Sequence, residues 1–348
     1  MTHPTQSTQP NALQHAIKDL AFHRPLDADE VGAAFDVIMR GEATGVQIAA
    51  FLTGLRVQGE TEDTVAGAAR ALRRAMIHLP ASDPDTLVDT CGTGGGAVTT
   101  FNISTAAAFV AAGAGVRIAK HGNRSFTSSC GSADVLEALG VRIDAPLEVM
   151  TRSLEEAGMV FMFAPAMHPA MKHVGPIRRE LAIPTVMNIV GPLANPAGVG
   201  RQLVGVADRD RLPILGRALT TLGSIHAMVV FGEPGLDEIS PLGPTHVVEV
   251  KHGALTEWTI DPAKHGIGRV SPNDLAGGSP ADNAHVILDL LAGGGATGAK
   301  AAVELNAAAA IYLSGQASSY YEGVTRAREA LKAGLGLSAL EKLRAVYG

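Results

Sequence analysis

Two polar loops, each following a short apolar run, carry the side chains best suited to chemistry. The first opens with Gly92-Thr93-Gly94-Gly95-Gly96 after Leu87-Val88, and the second runs from Lys120 to Ser132 after Val116-Arg117-Ile118-Ala119. Glycines let backbone N–H groups approach a ligand closely, and a following helix presents partial positive charge at its N-terminus, so such turns suit anions. Lys120, His121 and Arg124 add charge or potential charge, while Asn102, Ser104, Thr105, Ser125, Thr127, Ser128 and Ser132 add hydrogen-bonding groups. This is equipment for holding several phosphate oxygens. A glycine turn that merely packs is the competing reading, and it weakens once the second loop is counted beside the first.

The kind of phosphate ligand is narrowed by what the loops lack. Gly92, Gly94 and Ala97 fit the G-x-G-x-x-G/A dinucleotide fingerprint, but that reading wants an acid at the end of the next strand, where Lys120 stands. No G-K-[ST] follows the glycines, so the P-loop reading fails.

These loops need elements to hold them, and the pattern supplies two kinds. From Asn11 to about His78 the periodicity is helical. Asp27 with Glu30 forms a capping-box signal before Val31, Ala34, Phe35 and Ile38, Thr44 with Gln47 repeats it, and Thr61 starts a further helix. A small helical domain is expected over 11–80, with the composition of a linker at 78–85. Beyond it strands alternate with helices: strands at 87–91, 116–120, 159–164, 202–206 and 226–231, and helices at 103–114, 133–139, 146–157 and 209–222. This predicts an α/β domain over 85–174 and 201–348 with a mostly parallel central sheet covered on both faces. The segments 245–250 and 255–260 read as a hairpin. The Pro/Gly-rich stretch 164–200 is too long and polar for a plain connector and is expected to bind or to cross between domains, with part of 175–200 joining the helical one.

Bulk properties agree with a soluble enzyme-sized chain of 348 residues. A net charge of −6 gives no reason to expect nucleic acid as a partner. No run of 18 uncharged apolar residues exists, so no membrane span is expected. The opening MTHPTQSTQP lacks a signal-peptide core and is expected as a disordered tail, with cytoplasmic location the default. Two cysteines make no disulfide framework or zinc cluster; Cys91 is expected in the core and Cys130 in the accessible loop.

The ordered motifs GTGG, NIST, KHGNR and GSADVLEALG resemble the anthranilate phosphoribosyltransferase family. The resemblance continues through HPAMK (168–172), RREL (178–181), NIVGPLANPA (188–197), DEISPLGPT (237–245) and NAAAAIYL (306–313). It implies a fold of the nucleoside phosphorylase/phosphoribosyltransferase type. It also implies a pentosyl-transferring glycosyltransferase of tryptophan biosynthesis, moving the 5-phosphoribosyl group of phosphoribosyl pyrophosphate to the amine of anthranilate. Carried over by motif, the phosphoribosyl pyrophosphate site comprises Gly92, Gly95, Gly96, Thr100, Asn102, Ile103, Ser104, Thr105, Lys120, His121, Gly122, Asn123, Arg124, Ser125, Phe126, Thr127, Ser128 and Ser132. Anthranilate would meet Gly92, Asn123, His168 and Arg178, and Ser104, Asp237 and Glu238 would hold Mg2+ with the pyrophosphate. The resemblance further implies a homodimer and a ligand cleft between the domains.

The residue chemistry is compatible with these roles. Magnesium commonly takes one or two carboxylates plus substrate phosphates, which Asp237-Glu238 can provide from a loop or strand end. Arg178 offers a planar fork to a carboxylate, whereas Arg179 is expected in a salt bridge. No general base is demanded, because the anthranilate amine is neutral and its proton becomes acidic only as the C–N bond forms. The family usually carries Asp where this chain has Gly96, and a Lys-Ser pair where it has Ser129 and Cys130. Weaker metal or substrate binding is expected from both changes. The same fold acting on a pyrimidine nucleoside with free phosphate, and a non-catalytic nucleic-acid binder, are the competing functions.

Overall fold

The computed structural model describes residues 10–125 and 129–348. The nine residues at the start of the expected tail, and Phe126, Thr127 and Ser128 of the expected phosphate loop, lie outside the described residues. The chain forms two compact units, Met1–Met76 with His168–Ala194, and Ile77–Met167 with Asn195–Gly348.

The first unit opens with α1 (Ala12–Ala21), α2 (Ala28–Met39), α3 (Gly45–Gln58) and α4 (Glu62–Ala75). Both capping boxes form. The Asp27 carboxylate accepts from Glu30 N at 2.8 Å while Glu30 accepts from Asp27 N at 3.0 Å, and Thr44 and Gln47 exchange the same pair of bonds. Thr61 caps α4. The helices bury Val31, Phe35, Ile38, Phe51, Leu52 and Val65, with Phe35 and Phe51 edge-on at 5.2 Å.

The second unit begins with β1 (Val88–Gly92), α5 (Ile103–Gly113), β2 (Ile118–Gly122), α6 (Ser132–Ala138), α7 (Leu147–Glu156), β3 (Met159–Phe163) and the single turn α8 (Ala164–Met167). The chain then returns to the first unit through a 3-10 turn, Pro169–His173, and α9 (Gly175–Leu181). This return starts at His168 rather than near 175, because His173 packs over the positive-φ Gly41 at the end of α2, where even a Cβ would sit 2.6 Å from the imidazole. The second unit resumes with β4 (Arg201–Gly205), α10 (Arg211–Thr221), β5 (His226–Gly232), β6 (Thr245–Lys251) and β7 (Ala254–Ile260). It closes with α11 (Pro280–Leu291), α12 (Thr297–Leu313), α13 (Tyr320–Lys332) and α14 (Leu335–Tyr347).

The sheet order is β3-β2-β1-β4-β5-β6-β7. The first five strands in this order are parallel, and β6 runs antiparallel to its neighbours β5 and β7. The hairpin between β6 and β7 turns at His252 and Gly253, both at positive φ, as a tight turn matching strand twist requires. The Ala-rich helices α5 and α12 are buried almost all round and fill the core with small side chains. Successive strands run outward to β3 on one side of β1 and restart with β4 on the other. In an open parallel sheet the crevice at the carboxyl ends of two such strands is where ligands bind.

Candidate active site

Gly92 and Gly205 are register partners at the ends of β1 and β4, beside that crevice. The loop after β1 needs glycine twice for its backbone, since Gly94 and Gly95 hold φ of 72° and 82°. Its other glycines are needed for space. A Cβ on Gly92 would lie 2.5 Å from Asp237 Oδ2, and one on Gly96 would lie 3.3 Å from Asp237 Oδ1 and 3.1 Å from Gly235 O. The 235–238 segment therefore lies directly against the glycine loop. Backbone bonds close the seam: Ala97 N donates to Gly235 O at 2.8 Å, and Thr93 N donates to Gly205 O at 2.9 Å.

Asp237 and Glu238 each accept from a backbone N–H of the first βα unit. Gly94 N donates to Asp237 Oδ2 at 2.8 Å, and Ser104 N, in the first turn of α5, donates to Glu238 Oε1 at 3.1 Å. Both side chains keep some exposure, but the surrounding protein withholds solvation. Desolvation raises the Asp237 carboxyl above the usual carboxylate range. It pushes Glu238 up to about 8, with repulsion from Asp237 adding to the effect and Lys120 opposing it. Two crowded acids of this kind favour a bound cation. Among the described residues no group of three or more His, Cys, Asp or Glu could enclose a metal by itself. The pair plus Ser104 thus fits an ion such as Mg2+ that completes its shell with ligand oxygens and water.

The second loop is more constrained than its composition suggests. Lys120 is 2% exposed, and its ammonium donates to Thr90 O and reaches Ser104 Oγ at 3.3 Å. Arg124 is committed to α6, at 2.7 Å from Asp134 and 2.6 Å from Glu137, with its guanidinium over the Phe163 ring. Its expected free charge is thus already paired. Asn123 O accepts from Ala133 N and from Ser132 Oγ, and Ser125 N donates to Asp134. Gly122 has no room for a side chain, because Ser132 Oγ occupies the place of a Cβ. Ile103 and Thr105 are buried. Thr100 is half-exposed and bridges to Ala276. Asn102 spends its amide on Cys130 and Asn283. Cys130, expected to be accessible, is 6% exposed with its thiol toward Asn102 Oδ1, and Cys91, expected in the core, keeps partial exposure.

His168 and Arg178 belong to the helical unit. Burial drives the His168 imidazole down to about 4, against a hydrogen bond to the Ala194 backbone, so the ring is neutral at pH 7. Arg178 is half-buried near the end of α9 and makes no ion pair among the described residues, which leaves its fork open to a ligand carboxylate. Arg179 is exposed and forms no salt bridge among the described residues, contrary to expectation.

Three buried polar residues, Asp89, Asn195 and Asn306, support the site from below. Asp89 is fully buried on β1, and Asn195 donates to it at 2.8 Å. Asn306, buried in α12, accepts from Ile239 N and donates to Ile239 O, both at 2.9 Å, which pins the backbone beside Glu238. The last was legible in principle: a lone amide within NAAAAIYL on an otherwise apolar helix must find partners inside the core.

A crevice at the reversal of a parallel sheet, a glycine loop against an acid pair, and a separate helical unit are the parts of a glycosyl-transferring enzyme that handles a phosphorylated donor. Residues 84–337 match the glycosyl transferase family a/b domain, and residues 14–76 match that family's helical bundle domain. An anthranilate phosphoribosyltransferase of Rubrobacter xylanophilus is 48% identical over 330 residues, covering 95% of this chain and 96% of the relative. The crystal structure of the enzyme from Thermus thermophilus superposes with a TM-score of 0.90 at 39% identity, covering 95% of this chain and 99% of that one. The Saccharomyces cerevisiae enzyme in complex with phosphoribosyl pyrophosphate and Mg gives a TM-score of 0.86 at 29% identity, over 96% and 97% of the two chains. The chain belongs to the anthranilate phosphoribosyltransferase family.

Proposed function

We propose that this protein transfers the 5-phosphoribosyl group from phosphoribosyl pyrophosphate to the amine of anthranilate, giving N-(5-phosphoribosyl)anthranilate and pyrophosphate in tryptophan biosynthesis. The observation that carries the reading is the acid pair Asp237-Glu238 seated on the glycine loop and on the first turn of α5. Its relatives are named for this reaction, and the yeast relative was solved with phosphoribosyl pyrophosphate and Mg.

In this reading the backbone of Gly92–Gly96 and the polar groups of Thr100, Asn123 and Ser132 receive phosphate and ribose oxygens. Ser104, Asp237 and Glu238 hold Mg2+, which supplies charge neutralisation for the departing pyrophosphate. Lys120 acts from beneath, as a buried positive charge close to the acid pair, rather than as a direct phosphate ligand. Arg178 donates both prongs of its fork to the anthranilate carboxylate. Asn123 and the neutral His168 are the further candidates for contact with the aromatic ring. No side chain is assigned as general base; orientation of the amine and stabilisation of developing charge supply the rate. A homodimer, and a cytoplasmic location without nucleic-acid partners, complete the proposal. Among the described residues no helix is long and apolar enough to cross a membrane.

The direct test follows the loss of anthranilate fluorescence with phosphoribosyl pyrophosphate, with and without Mg2+. Magnesium-dependent loss is expected, abolished in Asp237→Ala and weakened chiefly through the KM for anthranilate in Arg178→Ala. A wild-type protein that leaves anthranilate untouched at saturating substrates would overturn the reading.

A further inference from the structure

The parallel sheet is incomplete at one seam. β1 pairs with β4, and β2 with β3, through five register partners each, yet β1 and β2 register only Val88 opposite Ile118. Beyond that pair the two strands part, and they part at the ends from which both polar loops leave. Separating two central strands strips backbone groups of their ladder partners, and a buried group left unpaired costs stability.

Side chains fill the seam instead. Asp89 Oδ1 accepts from His121 N at 3.2 Å. The Lys120 ammonium donates across to Thr90 O. Asn195 sends its amide to both edges at once, to Asp89 Oδ2 and to Ala119 O, each at 2.8 Å, and is itself held by Ala197 N at 2.9 Å. Asp89, Lys120 and Asn195 are each at most 3% exposed. The donors and acceptors match: a carboxylate that only accepts meets two N–H donors, and an ammonium that only donates meets carbonyl and hydroxyl oxygens. The set forms a wedge of fixed width between β1 and β2.

We propose that Asp89, with Asn195 as its partner, is a positioning residue that sets the separation of the β1 and β2 ends. The Gly92–Gly96 loop and the His121–Asn123 segment then address the same phosphoribosyl pyrophosphate. Asp89 touches no substrate; it acts through the His121 backbone. The proposal rests on the reading that these two loops hold phosphoribosyl pyrophosphate.

The test compares wild type, Asp89→Asn, Asn195→Ala and the double variant by steady-state kinetics, thermal melting and hydrogen–deuterium exchange of the peptide spanning Ile118 to Arg124. Asp89→Asn retains the size of the side chain but has one acceptor oxygen and one N–H2 group, so it cannot accept from both His121 N and the Asn195 amide. The expected result is a rise of about tenfold in the KM for phosphoribosyl pyrophosphate in Asp89→Asn, with kcat within about threefold of wild type. Faster exchange at the end of β2 should accompany it. Asn195→Ala leaves the His121 bond in place and should give a smaller rise, and the double variant should lose less than the sum of the two single variants, since they share the Asp89–Asn195 contact. Should Asp89→Asn not fold, the KM and exchange of Asn195→Ala decide the matter. A lowered melting temperature with both KM values and the exchange of this peptide unchanged would make the wedge merely structural and overturn the proposal. If wild type bound phosphoribosyl pyrophosphate without turning over anthranilate, the functional reading would fall, and its dissociation constant would replace the KM in the same comparison. A wild type that did not bind it would overturn both.

Discussion

Replacing Gly205 by alanine would place a methyl group where the backbone of Asp237 already lies. A Cβ built on Gly205 overlaps the Asp237 carbonyl and sits 3.1 Å from Asp237 Cα. Carbon atoms ordinarily approach to about 3.5–4.0 Å, so the acid segment must retreat by roughly 0.5–1 Å to clear the Asp237 α-carbon, and further to clear the carbonyl. β4 cannot give way in its place, because it is registered along its length with β1 on one side and β5 on the other. The displacement therefore falls on Asp237-Glu238. A misplacement of about 1 Å in groups that hold a reacting ligand can cost about 10²-fold, or about 2.7 kcal/mol at 1.36 kcal/mol per decade. The assay is the anthranilate fluorescence decay, run as a Mg2+ titration at fixed phosphoribosyl pyrophosphate. Gly205→Ala is expected to lose about two decades of kcat/KM and to need more Mg2+. Gly268→Ala, whose Cβ meets nothing within 4 Å, serves as the control and should behave as wild type. A folded Gly205→Ala protein with wild-type kinetics and an unchanged Mg2+ requirement would refute the claim that the end of β4 fixes the acid pair.

Two further outcomes follow from the geometry and charge of the site. His168 is held neutral down to about 4 when folded but takes up its proton near 6.5 when unfolded. Its contribution is therefore fully present above pH 6.5 and is lost as pH falls toward 4, amounting to about 3 kcal/mol; urea unfolding of His168→Gln across this window should show a shallower loss than wild type, and parallel curves would exclude His168 as the cause. Gly96→Asp fits only closely, with its Cβ at 3.3 Å from Asp237 Oδ1, and adds a third carboxylate to the pair. It should lower the Mg2+ half-saturation by about threefold or more while reducing the metal-free melting temperature by like-charge repulsion, and an unchanged half-saturation would show that the glycine here does not weaken metal binding.

Local signals were readable where the physics is local. The Asp27–Glu30 and Thr44–Gln47 boxes are short-range exchanges of hydrogen bonds, and both form. The strands after the linker are apolar runs bounded by polar loops, and they fall within two residues of where the periodicity puts them. What stayed hidden depends on distant partners. Arg124 looks like a free cation beside a phosphate loop, and only the fold brings Asp134 and Glu137 against it. Cys130 sits in a run of serines and glycine that reads as solvent-facing, yet Asn102 and Asn283 close over it. Arg179 differs from Arg178 by one position on a short helix, which is enough to leave one half-buried and the other in solvent.

The glycines of the site illustrate a distinction that the sequence blurs. Gly94 and Gly95 serve the backbone, since their φ values exclude most side chains. Gly92, Gly205 and Gly232 serve space: Cβ atoms there would meet Asp237 Oδ2, Asp237 O and Glu238 O respectively. The three lie at the ends of β1, β4 and β5, so the acid segment is laid across strand ends stripped of side chains. A parallel sheet ends in a row of helix- and loop-facing backbone, and any Cβ in that row would hold an acid-bearing segment off the sheet. The Gly94 N–H and the first turn of α5 could then no longer reach the two carboxylates. Asn306 closes the arrangement from the other side through both backbone groups of Ile239. The placement of the acid pair thus depends as much on the absence of side chains at 92, 205 and 232 as on the acids themselves, and under the proposed function substitutions at these glycines should affect Mg2+ dependence before they affect anthranilate recognition.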